Sequence, residues 1–548
     1  MKKKFLISIL SLMILVSLTL SACDNDEKTS TNGEVEQELS LSLAGEPESL
    51  DPAIGSDNNS AQVIERVMEP LTRLDVKDDE TVIVPGAAKS WDVCEEGLEW
   101  TFHLRDTKWS DGEPLLAKHF EYGIKRILDP KTASPMSSFL YDIKNASEIA
   151  SGELNVQKAG VEAIDDHTLK IKLENPVPHF LHLTSGSTMT PQRKDIIEKY
   201  GSSYGTESDK LVFTGPFKVD EWVHNNNITL VKNENYWDKD SVKLETVNMK
   251  IINEESALMG ELKNGNVDVA TVESAEWIEE LDKHDDLKSS TQYLPRTGYI
   301  FMNQEIELLS NPKIRQAFSV AIDREEIQDN FHQNVNRAAY GWLAPPIELD
   351  GKSFREQVSI DPITELLQEN PDAKALFEEG LEELGKEKEP SEITLEIMLP
   401  SDRQDFAEYL QQVFSKELGI NVVLDSTEWP VFQERNRELD YEMGFKGAHA
   451  PYNDPNSLLE IWKTDADIIP TGWSCSEFDE LVDKAALSLC EDERFENFKQ
   501  AERILVKEES VIIPYVYYTE NTYKQKYVKG ITQPDFGMMG IRNAYIDK

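Results

Sequence analysis

Cysteine is scarce, at four in 548 residues, and no CxxC pair supplies the spacing that holds structural zinc. Catalytic signatures are scarce too. No HExxH, GxGxxG, phosphate-cradling GxxxxGK[ST] or EF-hand loop is present, which removes the commonest metalloprotease, dinucleotide, nucleotide-triphosphate and calcium sites. No hydrolase nucleophile elbow is expected either. After the first two dozen residues, no apolar run approaches the ~20 residues that a bilayer crossing needs. Positive charge is in short supply, with 56 Lys and Arg against 102 Asp and Glu and a formal net charge of −46. Such a chain repels phosphate backbones, so nucleic acid is not expected as a partner. The charge fits a solvated surface in a salty or alkaline exterior, and steering of cationic ligands is the sharper alternative.

What the chain does carry begins at its start. Lys2, Lys3 and Lys4 precede a nearly pure apolar run, Phe5–Leu20, and small residues then lead to Cys23. That order is the order of a secretory signal rather than of a spanning helix, an uncleaved anchor being the alternative. Leu20-Ser21-Ala22-Cys23 resembles the bacterial lipobox. The resemblance implies cleavage before Cys23, acylation of its sulfur and a location on the outer face of the cell membrane, which Asp24 favours as well. One acyl chain binds only marginally, so a lasting anchor takes several. Residues 1–22 are therefore expected as a lipoprotein signal peptide and residues 23–36, polar and poor in apolar side chains, as a flexible tether. The remainder is long enough for two to four domains.

Period-two alternation marks strands, most clearly at Leu98, Trp100, Phe102 and Leu104 against Glu99, Thr101, His103 and Arg105. Similar runs cover residues 169–173, 228–230, 247–251, 393–399 and 420–424. Helical patterns interleave with them. Asn311-Pro312 offers an N-cap and a first-turn proline, ahead of an apolar face of Ile314, Ala317, Phe318, Ala321 and Ile322. Strands and helices alternate throughout, giving an α/β protein without repeats. Residues 351–390 are acidic and helix-prone and read as a solvated surface layer. Residues 476–489 read as one helix with a Ser476/Asp479 capping box. It would hold Cys475 and Cys490 ~22 Å apart, so Cys94, Cys475 and Cys490 are expected as unpaired thiols. His179 and His182, three apart, could suit a metal, but Pro176 and Pro178 argue against a regular helix there. No metal and no cofactor are expected.

From residue 86 the run GAAKSWDVCEEGLEWTFHLRDTKWSDGEPLLAKHFEY resembles the signature block of bacterial extracellular solute-binding proteins of the oligopeptide ABC-transporter type. Its strand, Asp-Gly turn and helix starting near Leu115 read the same way from the residues. Further matches follow in family order: Ser49–Pro52, Asp129–Pro135, Val161–Leu173, Thr214–Trp222, Asn233–Asp238, Asn264–Val269, Tyr340–Pro346, Tyr452–Pro455 and Ile513–Asn521. The resemblance implies a three-lobed periplasmic-binding-protein-like α/β fold of type II, the dipeptide/oligopeptide-binding class, with a ligand cleft between two main lobes. Lobe I is expected from residues 37–68, 188–289 and 505–548, lobe II from 69–187 and lobe III from 290–504. The implied function is capture of oligopeptides, without catalysis, by a monomer that delivers them to ABC-transporter permease subunits. The alternative is the same role with another ligand: a modified or signalling peptide, or a metal-chelate.

The resemblance also implies site residues. The stretch through Tyr452-Asn453-Asp454-Pro455 lines the cleft, making His449, Tyr452, Asn453 and Asp454 candidates. Pro451 stands where an aspartate is expected to meet the peptide ammonium, and proline offers neither charge nor N–H. Asp454 is one candidate to replace it. Ala448 stands where a tryptophan is usual, and Met136 where a tyrosine is. Trp429 matches a tryptophan near the pocket, a core position being equally open. Arg435 and Arg437 fall where basic residues meet a peptide carboxylate, unless they are plain surface charge. Tyr299 matches a cleft tyrosine.

Overall fold

The computed structural model describes residues 35–77, 80–333, 335–386, 389–464, 466 and 469–548. Cys23, the signal segment and the tether up to residue 34 lie outside the described residues. Among the described residues, no helix is long and apolar enough to cross a membrane.

Alternation builds the first sheet. Strand Glu99–Leu104 turns Trp100, Phe102 and Leu104 inward, between Ala88–Val93 on one side and Thr168–Lys172 then Val161–Asp165 on the other. All neighbours in this sheet are antiparallel, and on the solvent face Lys170 Nζ reaches Glu99 at 2.6 Å. Helix Ala117–Leu128 packs on the sheet, starting two residues after the expected point. Leu116 has no capping side chain, and His119 caps in its stead. Its Nδ1 accepts from Leu116 N–H at 3.1 Å and from the indole of fully buried Trp109 at 3.2 Å. Burial pushes the His119 imidazole down to about 4, which keeps that acceptor lone pair free at neutral pH.

A second sheet runs Glu38–Leu43, Thr246–Ile251, Asn227–Lys232, Phe217–Val223, its first pair parallel and the rest antiparallel. The third is a seven-stranded mixed sheet. Its path is Val269–Val272, Ile512–Gln525, Leu287–Met302, Met443–His449, Thr394–Pro400, Asn421–Thr427, with Arg337–Ala338 beside Ile512–Gln525. Helix Pro312–Ala321 begins at Asn311, whose Oδ1 accepts from Lys313 and Ile314 N–H. With helices Ala373–Glu383 and Gln404–Glu417 it buries Phe318, Phe377 and Phe414 edge to face against this sheet.

Two local expectations are corrected. Residues 351–390 are not merely a solvated layer: helices Pro362–Glu369 and Ala373–Glu383 are amphipathic, burying Ile363, Leu366 and Phe377 while their acids face out. The helix expected at 476–489 ends two residues early, as Ser476–Leu487, and a separate helix, Glu491–Arg503, follows after Cys490. Asp479 makes no capping box because its carboxylate accepts from the Thr464 N–H and hydroxyl. Cys94, Cys475 and Cys490 are free thiols.

Candidate functional site

Strands Leu287–Met302 and Ile512–Gln525 pair antiparallel from Leu287↔Gln525 to Phe301↔Ile512, a ladder of about 50 Å. The ladder breaks in its middle: register slips between Tyr293 and Thr297, and again between Gly298 and Tyr299. Pro295 supplies the cause, having no N–H for the ladder, while its carbonyl turns to accept from Ala450 N–H at 2.8 Å. Gly298 is required beside it, since a Cβ there would stand 2.6 Å from Val516 Cγ1.

A cavity of about 1010 Å³ opens at this break, at the top of the ~300–1,000 Å³ typical of small-molecule sites. Gln292, Leu294 and Pro295 bound it on the strand side, with His449, Glu520 and Thr522 beside them. Opposite stand Asn58, Gln62, Glu65 and Arg66 of helix Asn58–Val67, and the segment Gln533–Met539. A second cavity of about 330 Å³ shares Glu65, Arg66 and Pro534, Phe536–Met539 with the first. Those residues are the partition between two compartments.

Charges in the smaller compartment are mostly matched. Glu69 is buried, and burial raises its carboxyl against the opposing pull of Arg73, 3.5 Å away. It accepts from the Trp237 indole at 3.0 Å and from the Tyr236 hydroxyl at 3.2 Å. Asp75 pairs with Arg542 at 3.2 Å.

Tyr452 lines the same compartment beside Pro451 and Met136. Its ring stacks flat on His179, centroids 4.3 Å apart, and its hydroxyl donates to Glu460 at 2.8 Å. Burial holds His179 below its usual range and His182 down to about 4, so both imidazoles are neutral at pH 7. His179 stands at the N-cap of one helical turn, Phe180–Leu183, which the prolines do not prevent. Among the described residues, no three His, Cys, Asp or Glu side chains cluster as metal ligands would.

Beneath Tyr452 the turn is built for support. Asn453 accepts from Glu348 N–H at 2.7 Å and donates back to the Glu348 carboxylate at 3.1 Å. The Asp454 carboxylate meets Arg494 Nη2 at 2.6 Å, both side chains 4% exposed, and also accepts from Asn456 N–H. Asp454 therefore does not fit the role of ammonium partner, because its charge is already matched by a buried guanidinium and it lines neither cavity.

Of the expected site residues, His449 lines the larger of these two cavities and Tyr452 the smaller; the others line neither. Tyr299 is fully buried, edge-on to Trp342 and Trp462, its hydroxyl without a partner. Trp429 is half exposed and stacked on Phe432, which sets aside the core reading. Arg435 is held by Asp425, Asp440 and Glu396, and Arg437 is exposed on the same helix. Surface charge is the reading that fits both. The sequence does hold GxSxG spacing at Gly201–Gly205, where no elbow was expected, but it follows helix Lys194–Tyr200 as a 3-10 turn, not a strand-to-helix turn.

Sequence reasoning missed the wall formed by Asn58, Gln62 and Glu65. Their i, i+4, i+7 spacing marks one helix face, but a polar face turned into a cavity has the same pattern as one turned to solvent.

Residues 82–469 match the family described as bacterial extracellular solute-binding proteins, family 5 Middle. Among curated proteins, the chain is 34% identical to the dipeptide-binding protein DppE of Bacillus subtilis, over 94% of this chain and 93% of that one. It is 32% identical to the oligopeptide-binding protein OppA of the same organism, over the full length of both. Among solved structures, Listeria monocytogenes OppA bound to peptide superposes with a TM-score of 0.71 at 26% identity, covering 94% of this chain and 100% of that one.

Proposed function

Because the chain belongs to the bacterial extracellular solute-binding proteins of family 5, we propose that it captures oligopeptides outside the cytoplasm and delivers them to an ABC-transporter permease. The observation that carries this reading is the large cavity at the interrupted ladder, walled by two long strands and by segments from both ends of the chain. An extended peptide can lie there as an added strand, main chain bonding to main chain. Its side chains then enter a roomy, polar space where water adapts to differing shapes. The relatives named above carry dipeptide- and oligopeptide-binding in their names, which supports the ligand class.

The remaining parts of the reading follow from the sequence. Cys23 carries lipid and holds the monomer to the membrane's outer face, and residues 23–36 give it reach. Lobe I (37–68, 188–289, 505–548) and lobe III (290–504) close on ligand around the interrupted strands, with lobe II (69–187) beside them; closure of this kind is a hinge motion. The protein binds without cleaving.

A second reading keeps the transport role and changes the ligand to a modified or signalling peptide or a metal-chelate. It is favoured by Pro451, which faces the smaller compartment where an aspartate was expected. One experiment separates the two: mass spectrometry of whatever is released from natively purified protein, followed by calorimetric titration with mixed tri- to pentapeptides. Saturable peptide binding, with the peptide returned intact, supports the first. No co-purified peptide and no heat with any peptide overturns it.

A further inference from the structure

The large cavity has an unbalanced wall. Five carboxylates line it, Glu65, Glu255, Glu273, Glu520 and Asp535, while among the described residues Arg66 is its one Arg or Lys. Two of the five have hydroxyl donors: Thr522 near Glu520, and Thr81 at 3.1 Å from Asp535. Burial raises both of these carboxyls, and Glu273 adds to the rise at Glu520. His449, the cavity's imidazole, bonds through Nδ1 to the Ala450 carbonyl.

Glu65 differs from the rest. It stands in the partition and faces both compartments. Among the described residues its carboxylate has no hydrogen bond and no contact ion pair. Its chain neighbour Arg66 does not pair with it: that guanidinium is 5% exposed, bonds back to the Gln62 carbonyl and leaves Nε without a partner. The other cations bounding the smaller compartment, Arg73 and Arg542, are committed to Glu69 and Asp75. The Glu65 side chain is exposed where it borders the two compartments, yet the crowding of both walls pushes its carboxyl up to about 7 against the opposing pull of Arg66. A crowded carboxylate that has no contact ion pair, only the through-space pull of Arg66, costs stability. A ligand that brings the missing cation removes that cost on binding.

We propose that Glu65 seats a cationic group of the ligand, a primary ammonium or a guanidinium, and so makes this cavity select positively charged peptides. The inference rests on the peptide reading above and deepens it. The geometry leaves two sources for the cation, the peptide's own α-amino group or a Lys or Arg side chain. A wall with a surplus of carboxylates focuses field toward the partition and favours either source over an anionic competitor.

The test is calorimetric titration of ligand-stripped full-length protein with Ala-Ala-Ala, Ala-Lys-Ala, its uncharged isostere Ala-norleucine-Ala, and the N-acetylated form of each. Wild type should bind the cationic members tightest. Glu65→Gln should weaken them by about thirtyfold or more, the low end for removing one partner of an enclosed charge pair, and should leave acetylated neutral peptides within threefold. Loss shared by every free-amine peptide assigns the α-amino group; loss confined to the lysine peptides assigns the side chain. Glu65→Asp, which keeps the charge, should keep the preference. Ligand-free Glu65→Gln should melt no lower than wild type, since an unpaired charge is gone; should it fold poorly, Glu65→Ala carries the same comparison. Equal affinities of wild type and Glu65→Gln for all six peptides overturn the inference and leave the peptide reading standing. Binding of none of them by wild type overturns both.

Discussion

Replacing Asp454 by asparagine separates support from recognition. In the native turn the Asp454 carboxylate meets Arg494 at 2.6 Å with both side chains 4% exposed, and Arg494 Nε donates to the Ala485 carbonyl. Asparagine keeps the acceptor for Asn456 N–H but removes the charge, leaving a buried guanidinium without its anion. Breaking a buried pair in this way costs about 3–5 kcal/mol. Over a unit of the length of Gln37–Asp547, the unfolding entropy comes to about 1 kcal/mol per kelvin, so Tm should fall by about 3–5 °C. Scanning calorimetry reads this directly. Adding Arg494→Met should restore most of the loss, because the orphaned charge is removed with its partner. Peptide titration gives the second readout: Asp454→Asn should affect free-amine and acetylated peptides alike. A variant with unchanged Tm that loses only free-amine peptides would refute the supporting role and return Asp454 to the binding site.

Three further outcomes are expected. His119 sits at about 4 in the fold against 6.5 when unfolded, so the folded state binds fewer protons. Its contribution is complete above pH 6.5 and is lost as pH falls toward 4; His119→Gln, which keeps an acceptor, should flatten that part of a stability–pH curve measured by denaturant melts. Gly298→Ala should destabilise by about 1–3 kcal/mol through overpacking against Val516, and unaltered melting would mean that the interrupted strands yield freely. Arg435→Met should cost under about 1 kcal/mol, as partly exposed ion pairs do, and leave peptide affinity unchanged; a large affinity loss would place Arg435 in the site after all.

Periodic elements were legible from the chain. The strand at Glu99–Leu104 and the helix after Asn311 rest on local alternation and local caps, and local rules found them. The missing capping box at Asp479 was not legible, because its carboxylate is drawn away by Thr464, a contact that only the tertiary fold brings about. Site residues fared worse for a related reason. Tyr299 and Arg435 have the right chemistry for a cleft, but packing sends one into an aromatic core and neighbouring acids hold the other at the surface. Glu65 has the same local signature as any solvated helix residue, and only the opposing segment Gln533–Met539 turns its surroundings into a cavity.

That opposing segment has a consequence for biosynthesis. The chamber's partition joins helix Asn58–Val67 to Pro534–Met539, so its first half leaves the ribosome long before its second. Pairings at such sequence separation form slowly and after local structure. A product that stops after Gln525 would keep the long strand Ile512–Gln525 and the cores built on it, yet lack Pro534–Met539 and with them the partition. Ligand capture therefore reports that the chain has grown past Met539.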